Sequence, residues 1–82
     1  MFVYKITNRV NGKVYVGKTN KRNINTRWQQ HVWEAKRGAK WVLHRAIRKY
    51  GISQFSIEPL CRVSTEAELN EKEKEFIQIY NS

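Results

Sequence analysis

The sequence predicts a single small α+β domain. Two β-branched and aromatic runs flank Asn11-Gly12 near the N-terminus, and two segments of helical periodicity then each end at a glycine. An alternating run over 55–63 follows, and a capping signal opens a last amphipathic stretch. Eighty-two residues can feed one core only, and apolar residues at 40% of the chain are enough to build it.

Each element has its own local cause. Phe2–Thr7 and Lys13–Gly17 read as strands, and Asn-Gly between them is a hairpin signal because both residues tolerate the positive φ of a primed turn. An even-numbered loop pairs even positions of the first strand with odd positions of the second. Tyr4, Ile6, Tyr15 and Gly17 are therefore expected on one face. Asn23, Asn25 or Thr26 can cap a helix running to about Lys36, with Gly38 as its stop. Trp28, Val32 and Ala35 fit its buried stripe, with Arg27 and His31 on a neighbouring one, four residues apart.

A second helix is expected over Val42–Tyr50, burying Leu43, Ala46, Ile47 and Tyr50 and ending at Gly51. Arg45, Arg48 and Lys49 lie off that stripe. Residues 55–63 alternate as a third strand, where Pro59 suits only an edge position or a bulge. Thr65-x-x-Glu68 opens the last helix. Its buried stripe holds Leu69, Glu73, Phe76, Ile77 and Tyr80, while Glu66, Glu68, Glu71 and Glu75 point elsewhere. One carboxylate thus falls inside an apolar stripe.

Charge narrows the function classes. Residues 1–62 hold fourteen Lys/Arg against two Glu, and residues 63–82 hold two Lys against five Glu. With Trp and Tyr interleaved among the cations, a nucleic acid is the natural partner of the first part. A lone Cys61 forms neither an internal disulfide nor a structural zinc site. No apolar run approaches the about 18 residues of a membrane span, and Met1–Lys5 carries no secretory apolar region. An intracellular, strongly basic domain is expected. The absence of Asp weighs against a two-metal site, which gathers several carboxylates.

Tyr4, Tyr15, Arg27, His31, His44 and Glu73 are the candidates for chemistry. A core-facing Glu73 is costly unless compensated, either by a cation such as Arg27 or by a divalent metal completed by water and phosphate. Arg27 suits a planar clamp on phosphate oxygens, and His31 suits proton transfer near neutral pH.

The order of these residues resembles the GIY-YIG nuclease family. Phe2-Val3-Tyr4 is followed after ten residues by Tyr15-Val16-Gly17-Lys18-Thr19, then by Arg27-x-x-x-His31 and a helix-borne Glu73. Leu43-His44-Arg45-Ala46-Ile47-Arg48-Lys49-Tyr50-Gly51 followed by Phe55 is similar to that family's middle segment, especially in phage intron homing endonucleases. The resemblance implies a three-stranded antiparallel sheet flanked by helices and metal-dependent hydrolysis of a DNA phosphodiester, one strand per encounter. It implies Tyr4 and Tyr15 as motif tyrosines, Arg27 and His31 as catalytic groups, and Glu73 as ligand to one Mg²⁺ or Mn²⁺. Gly17 matches the motif glycine. Lys18, His44, Arg45, Arg48 and Lys49 are expected DNA contacts. A DNA-targeting domain is expected outside these 82 residues, and the location implied is the cytoplasm of a bacterial or phage-infected host. Two other readings compete: a catalytically weak nucleic-acid-binding module of the same fold, or an RNA-binding protein with Trp33 or Trp41 stacking on bases.

Overall fold

The computed structural model describes residues 1–80. In chain order it contains β1 (Phe2–Asn8), β2 (Val14–Thr19), α1 (Ile24–Lys36), α2 (Val42–Tyr50), β3 (Phe55–Arg62) and α3 (Glu66–Tyr80). A short 3-10 turn at Ile52–Gln54, absent from the sequence reading, leads into β3. The three strands form one antiparallel sheet in the order β2-β1-β3, with helices on both faces.

Strand alternation divides the core. On one face Tyr4 and Ile6 pack with Ala35 of α1, with Leu43, Ala46 and Ile47 of α2, and with Phe55. On the other face Val3 packs with Val63 and with Leu69 of α3. Neighbouring residues of β1 thus serve opposite layers, as period-two pleating requires.

Register follows the expected parity. Tyr4 pairs with Gly17 and Ile6 with Tyr15, so all four share one face. The turn itself is wider than an Asn-Gly primed turn. Gly12, at φ 76°, donates its N–H to the Asn8 carbonyl at 2.8 Å, and Asn8 donates to the Lys13 carbonyl at 2.9 Å. The loop keeps an even number of residues, which is why the parity holds.

Pro59 lies on the edge strand β3, opposite Tyr4, beside a register shift between Val3 and Tyr4. Both tolerances that proline needs, an open edge and an irregular ladder, are present there. Asn23 caps α1 by accepting the Asn25 N–H at 2.9 Å. Gly51 ends α2, its N–H reaching the Ile47 carbonyl. On α3, Leu69 is buried and Glu73, Phe76, Ile77 and Tyr80 are half-buried, in line with the expected stripe.

Thr65 Oγ1 accepts the Glu68 N–H at 3.2 Å at the start of α3. Thr65→Ala should lower stability by about 1 kcal/mol. For a domain of this size that is a fall in Tm of about 4–8 °C, readable by calorimetry. An unchanged Tm would show that this cap does not hold the helix start.

Candidate active site

Tyr4 stands at the centre of the site because β1 is the central strand and Gly17 lies directly across from it. A Cβ at position 17 would lie 2.5 Å from the Tyr4 hydroxyl oxygen, well inside contact distance. Only glycine lets the phenol ring lie against β2. The hydroxyl is buried and shares a 2.8 Å hydrogen bond with Nε2 of His31. Arg27 donates to the same oxygen from Nε at 3.3 Å and uses Nη1 to reach Gln30 at 3.1 Å.

The two histidines are more deeply buried than their helices' patterns suggest. His31 is 2% exposed, deeper than the half-buried Trp28 and Val32 of the predicted stripe. His44, an expected DNA contact, is 1% exposed. Its Nε2 lies 3.0 Å from Nδ1 of His31 and 3.4 Å from the carboxylate of Glu34. Trp41 stacks on its ring at 5.5 Å, nearly parallel. Polar groups thus run in series from the Tyr4 hydroxyl through His31 and His44 to the partly exposed Glu34. The sequence reading missed Glu34, although His31-x-x-Glu34 sets the two side chains on one helical face.

Burial sets the protonation states. It lowers the His31 pKa to about 3, with the Arg27 and His44 charges acting in the same direction. Burial also lowers that of His44, and the Arg27 and Arg48 charges add to this against the opposing pull of Glu34. Burial pushes the Tyr4 hydroxyl above its ordinary value, despite the lowering effect of the Arg27 charge and hydrogen bond. At neutral pH the phenol is protonated and both imidazoles are neutral.

The other expected site residues divide. Tyr15 lines the same cavity of about 210 Å³ as Tyr4, Gly17 and His31. It packs against the core, and burial raises its pKa. Glu73 is half-buried on α3, near enough for its charge to help raise the Tyr4 pKa. Among the described residues its ion pair is with Lys18, at 3.8 Å, rather than with Arg27. Lys18 also bonds Asn70. A second cavity of about 340 Å³, lined by Lys18, Thr19, Arg27, Gln30 and Asn70 among others, joins the end of β2 to α1 and α3.

Arg45, Arg48 and Lys49 are exposed. Arg48 is engaged by the protein itself, donating to the Ala35 and Ala39 carbonyls at 2.9 and 2.8 Å. Lys49 lies over the Tyr50 ring. Trp33 and Trp41 are exposed, with Arg37 over the first and His44 against the second.

The family model described as the GIY-YIG catalytic domain matches residues 1–82. The chain belongs to the GIY-YIG catalytic domain family. Its fold superposes on the solved catalytic domain of the homing endonuclease I-TevI with a TM-score of 0.84 at 27% identity, covering 99% of this chain and 88% of that one. Among curated proteins it is 31% identical over 83 residues to "Uncharacterized protein 019R" of Invertebrate iridescent virus 6, covering 99% of this chain and 29% of the relative. It is 33% identical over 76 residues to "Putative endonuclease segB" of Enterobacteria phage T4, covering 93% of this chain and 31% of that protein. The chain spans about a third of the length of these curated relatives.

The buried histidine makes stability depend on pH in a definite direction. The folded value of about 3 lies below the ordinary 6.5, so as pH falls through that interval the unfolded chain takes up a proton that the folded chain refuses. The contribution is complete above pH 6.5 and is lost on the way down toward 3. Urea midpoints measured stepwise from about pH 7 to about pH 5 should fall, and His31→Gln should flatten the decline. An equal slope in the variant would mean that His31 does not carry it.

Proposed function

We propose that this GIY-YIG domain is the catalytic part of a metal-dependent DNA endonuclease, cutting one strand per encounter. The observation that carries the proposal is the Tyr4 hydroxyl held between Arg27 and His31 beside two cavities lined by cations and tyrosines.

Tyr4 is the tyrosine that takes the proton of the attacking water, because among the described residues it alone of the two motif tyrosines has an acceptor for its own proton. A buried phenol with a raised pKa is a poor base unless that proton leaves as another arrives. Neutral His31 offers Nε2 at 2.8 Å. His31 is itself a poor resting place for charge, so the proton moves on from Nδ1 to His44 and to the carboxylate of Glu34, which is open to solvent. Water oxygen bonds to phosphorus as the P–O bond to the ester oxygen breaks; the water's proton passes through Tyr4 into this series, and the departing alkoxide takes a proton from solvent. Arg27 has a guanidinium edge in the second cavity, where it meets the charge that grows on the phosphate oxygens.

Glu73 fits a single Mg²⁺ or Mn²⁺. It is one half-buried carboxylate, near Tyr4 and balanced by a weak 3.8 Å ion pair that a divalent ion can displace. Such ions accept one or two carboxylates and fill their remaining positions with water and phosphate oxygens. When bound there, the ion supplies Lewis-acid stabilisation of the phosphate. Lys18, released from Glu73, becomes available to the DNA backbone with exposed Arg45 and Lys49. One such centre per domain accounts for cleavage of one strand at a time. Recognition of a target sequence would fall to a domain outside these residues, and DNA in a bacterial or phage-infected cytoplasm would be the setting.

Glu73→Gln should abolish Mg²⁺-dependent nicking of supercoiled plasmid while fold and DNA binding persist. Glu71→Gln and Glu75→Gln, both exposed, should nick within a few-fold of the parent. Nicking that survives in Glu73→Gln and is lost in a control would put the cation elsewhere on α3. DNA binding without nicking in the parent chain, at any Mg²⁺ or Mn²⁺ concentration, would favour the non-catalytic module.

A further inference from the structure

We infer that His31, Glu34 and His44 form a second cation site, separate from Glu73 and selective for a borderline transition ion such as Zn²⁺, whose occupancy switches the nuclease off. The inhibitory part rests on the proton path proposed above. The binding part does not.

The donor set is assembled from two helices. His31 and Glu34 are three residues apart on α1, and His44 comes from the first turn of α2. Nδ1 of His31, Nε2 of His44 and a Glu34 carboxylate oxygen all lie within 4.8 Å of one another. Two of the separations are 3.0 and 3.4 Å. Tetrahedral Zn²⁺ with bonds of about 2.0–2.1 Å sets its donor atoms ~3.3 Å apart, so ligation needs shifts of a few tenths of an ångström there. The α1–α2 packing already holds both rings, and Trp41 stacked on His44 fixes one of them.

Chemistry selects the ion. Two imidazoles and one carboxylate suit Zn²⁺, Co²⁺, Ni²⁺ or Cu²⁺, whereas Mg²⁺ prefers oxygen donors and keeps its water. Both histidines are neutral at pH 7, so neither has to lose a charge before ligating. There is also a way in. Glu34 lines an open cavity of about 310 Å³ with Arg37, Gly38 and Ala39, giving the ion an approach and room for a fourth, solvent ligand. Three protein ligands leave one position open to solvent, unlike a closed four-ligand structural site.

Inhibition follows from the atoms used. Ligation engages Nδ1 of His31 and Nε2 of His44, which are the two nitrogens that pass the proton onward. It also fixes His31 as the Nε2–H tautomer. That nitrogen then donates to Tyr4 and can no longer accept from it.

Titration of the intact chain with Co²⁺ and Zn²⁺ tests the site without reference to cleavage. With Mg²⁺ in saturating excess to occupy Glu73, calorimetry and the visible absorption of tetrahedral Co²⁺ should show one saturable ion per chain, displaced by Zn²⁺. Glu34→Gln, on a partly exposed side chain that does not hold the fold, should weaken binding at least about tenfold, and His44→Gln should do the same. Glu73→Gln should bind as the parent does. No saturable binding, or binding lost only in Glu73→Gln, would overturn the site. In saturating Mg²⁺, Zn²⁺ at its measured Kd should halve plasmid nicking by the parent. Undiminished nicking with Zn²⁺ demonstrably bound would overturn the switch. A chain with no nuclease activity at all would fail the functional proposal and leave the binding result standing.

Discussion

The arrangement of the site depends on one close approach, that of the Tyr4 ring to the backbone of β2 at Gly17. Because position 17 has no side chain, the phenol lies flat enough for its hydroxyl to reach α1, where His31 and Arg27 meet it. That contact fixes where α1 sits relative to the sheet. Ala35 packs one turn beyond His31 in the same core cluster, and α2 follows through Leu43, Ala46 and Ile47. A buried hydroxyl, two buried imidazoles and a guanidinium would each be costly alone in such a place. Linked in series they offset most of that cost, although Nδ1 of His44 is buried without a hydrogen-bond partner among the described residues, and the last member opens to solvent at Glu34.

The same linkage limits what sequence could reveal. Period-two alternation and loop parity were enough to put Tyr4, Ile6, Tyr15 and Gly17 on one face, and the Thr65-x-x-Glu68 pattern was enough to locate the start of α3. Pro59 announced an edge or an irregular ladder and lies at both. These features depend on neighbours close in sequence. The burial of His31 and His44 does not. Each is polar, each lies beside an apolar stripe, and each meets the other across two helices, thirteen residues apart in sequence. Periodicity assigns such residues to the surface by default.

The carboxylates teach a related lesson. Glu73 stood out because it interrupts an apolar stripe, and it is half-buried as that position requires. Its partner was not legible, since Lys18 lies on β2 and is joined to α3 only by the tertiary fold. Glu34 gave almost no signal among basic and aromatic neighbours, although its spacing from His31 places both on one face. The family resemblance supplied the ordered motif residues, and it placed His44 among DNA contacts. In this chain His44 belongs to the interior.

If Tyr4, rather than Tyr15, handles the proton of the attacking water, single-turnover plasmid nicking in Mg²⁺ separates Tyr4→Phe from Tyr15→Phe. Both substitutions keep the ring and remove only the hydroxyl. Tyr4→Phe should lower the cleavage rate by a factor on the order of 10²–10⁴, the range of a lost general base, with DNA affinity unchanged. Tyr15→Phe should stay within a few-fold of the parent. Loss of cleavage in Tyr15→Phe with Tyr4→Phe still active would contradict this assignment.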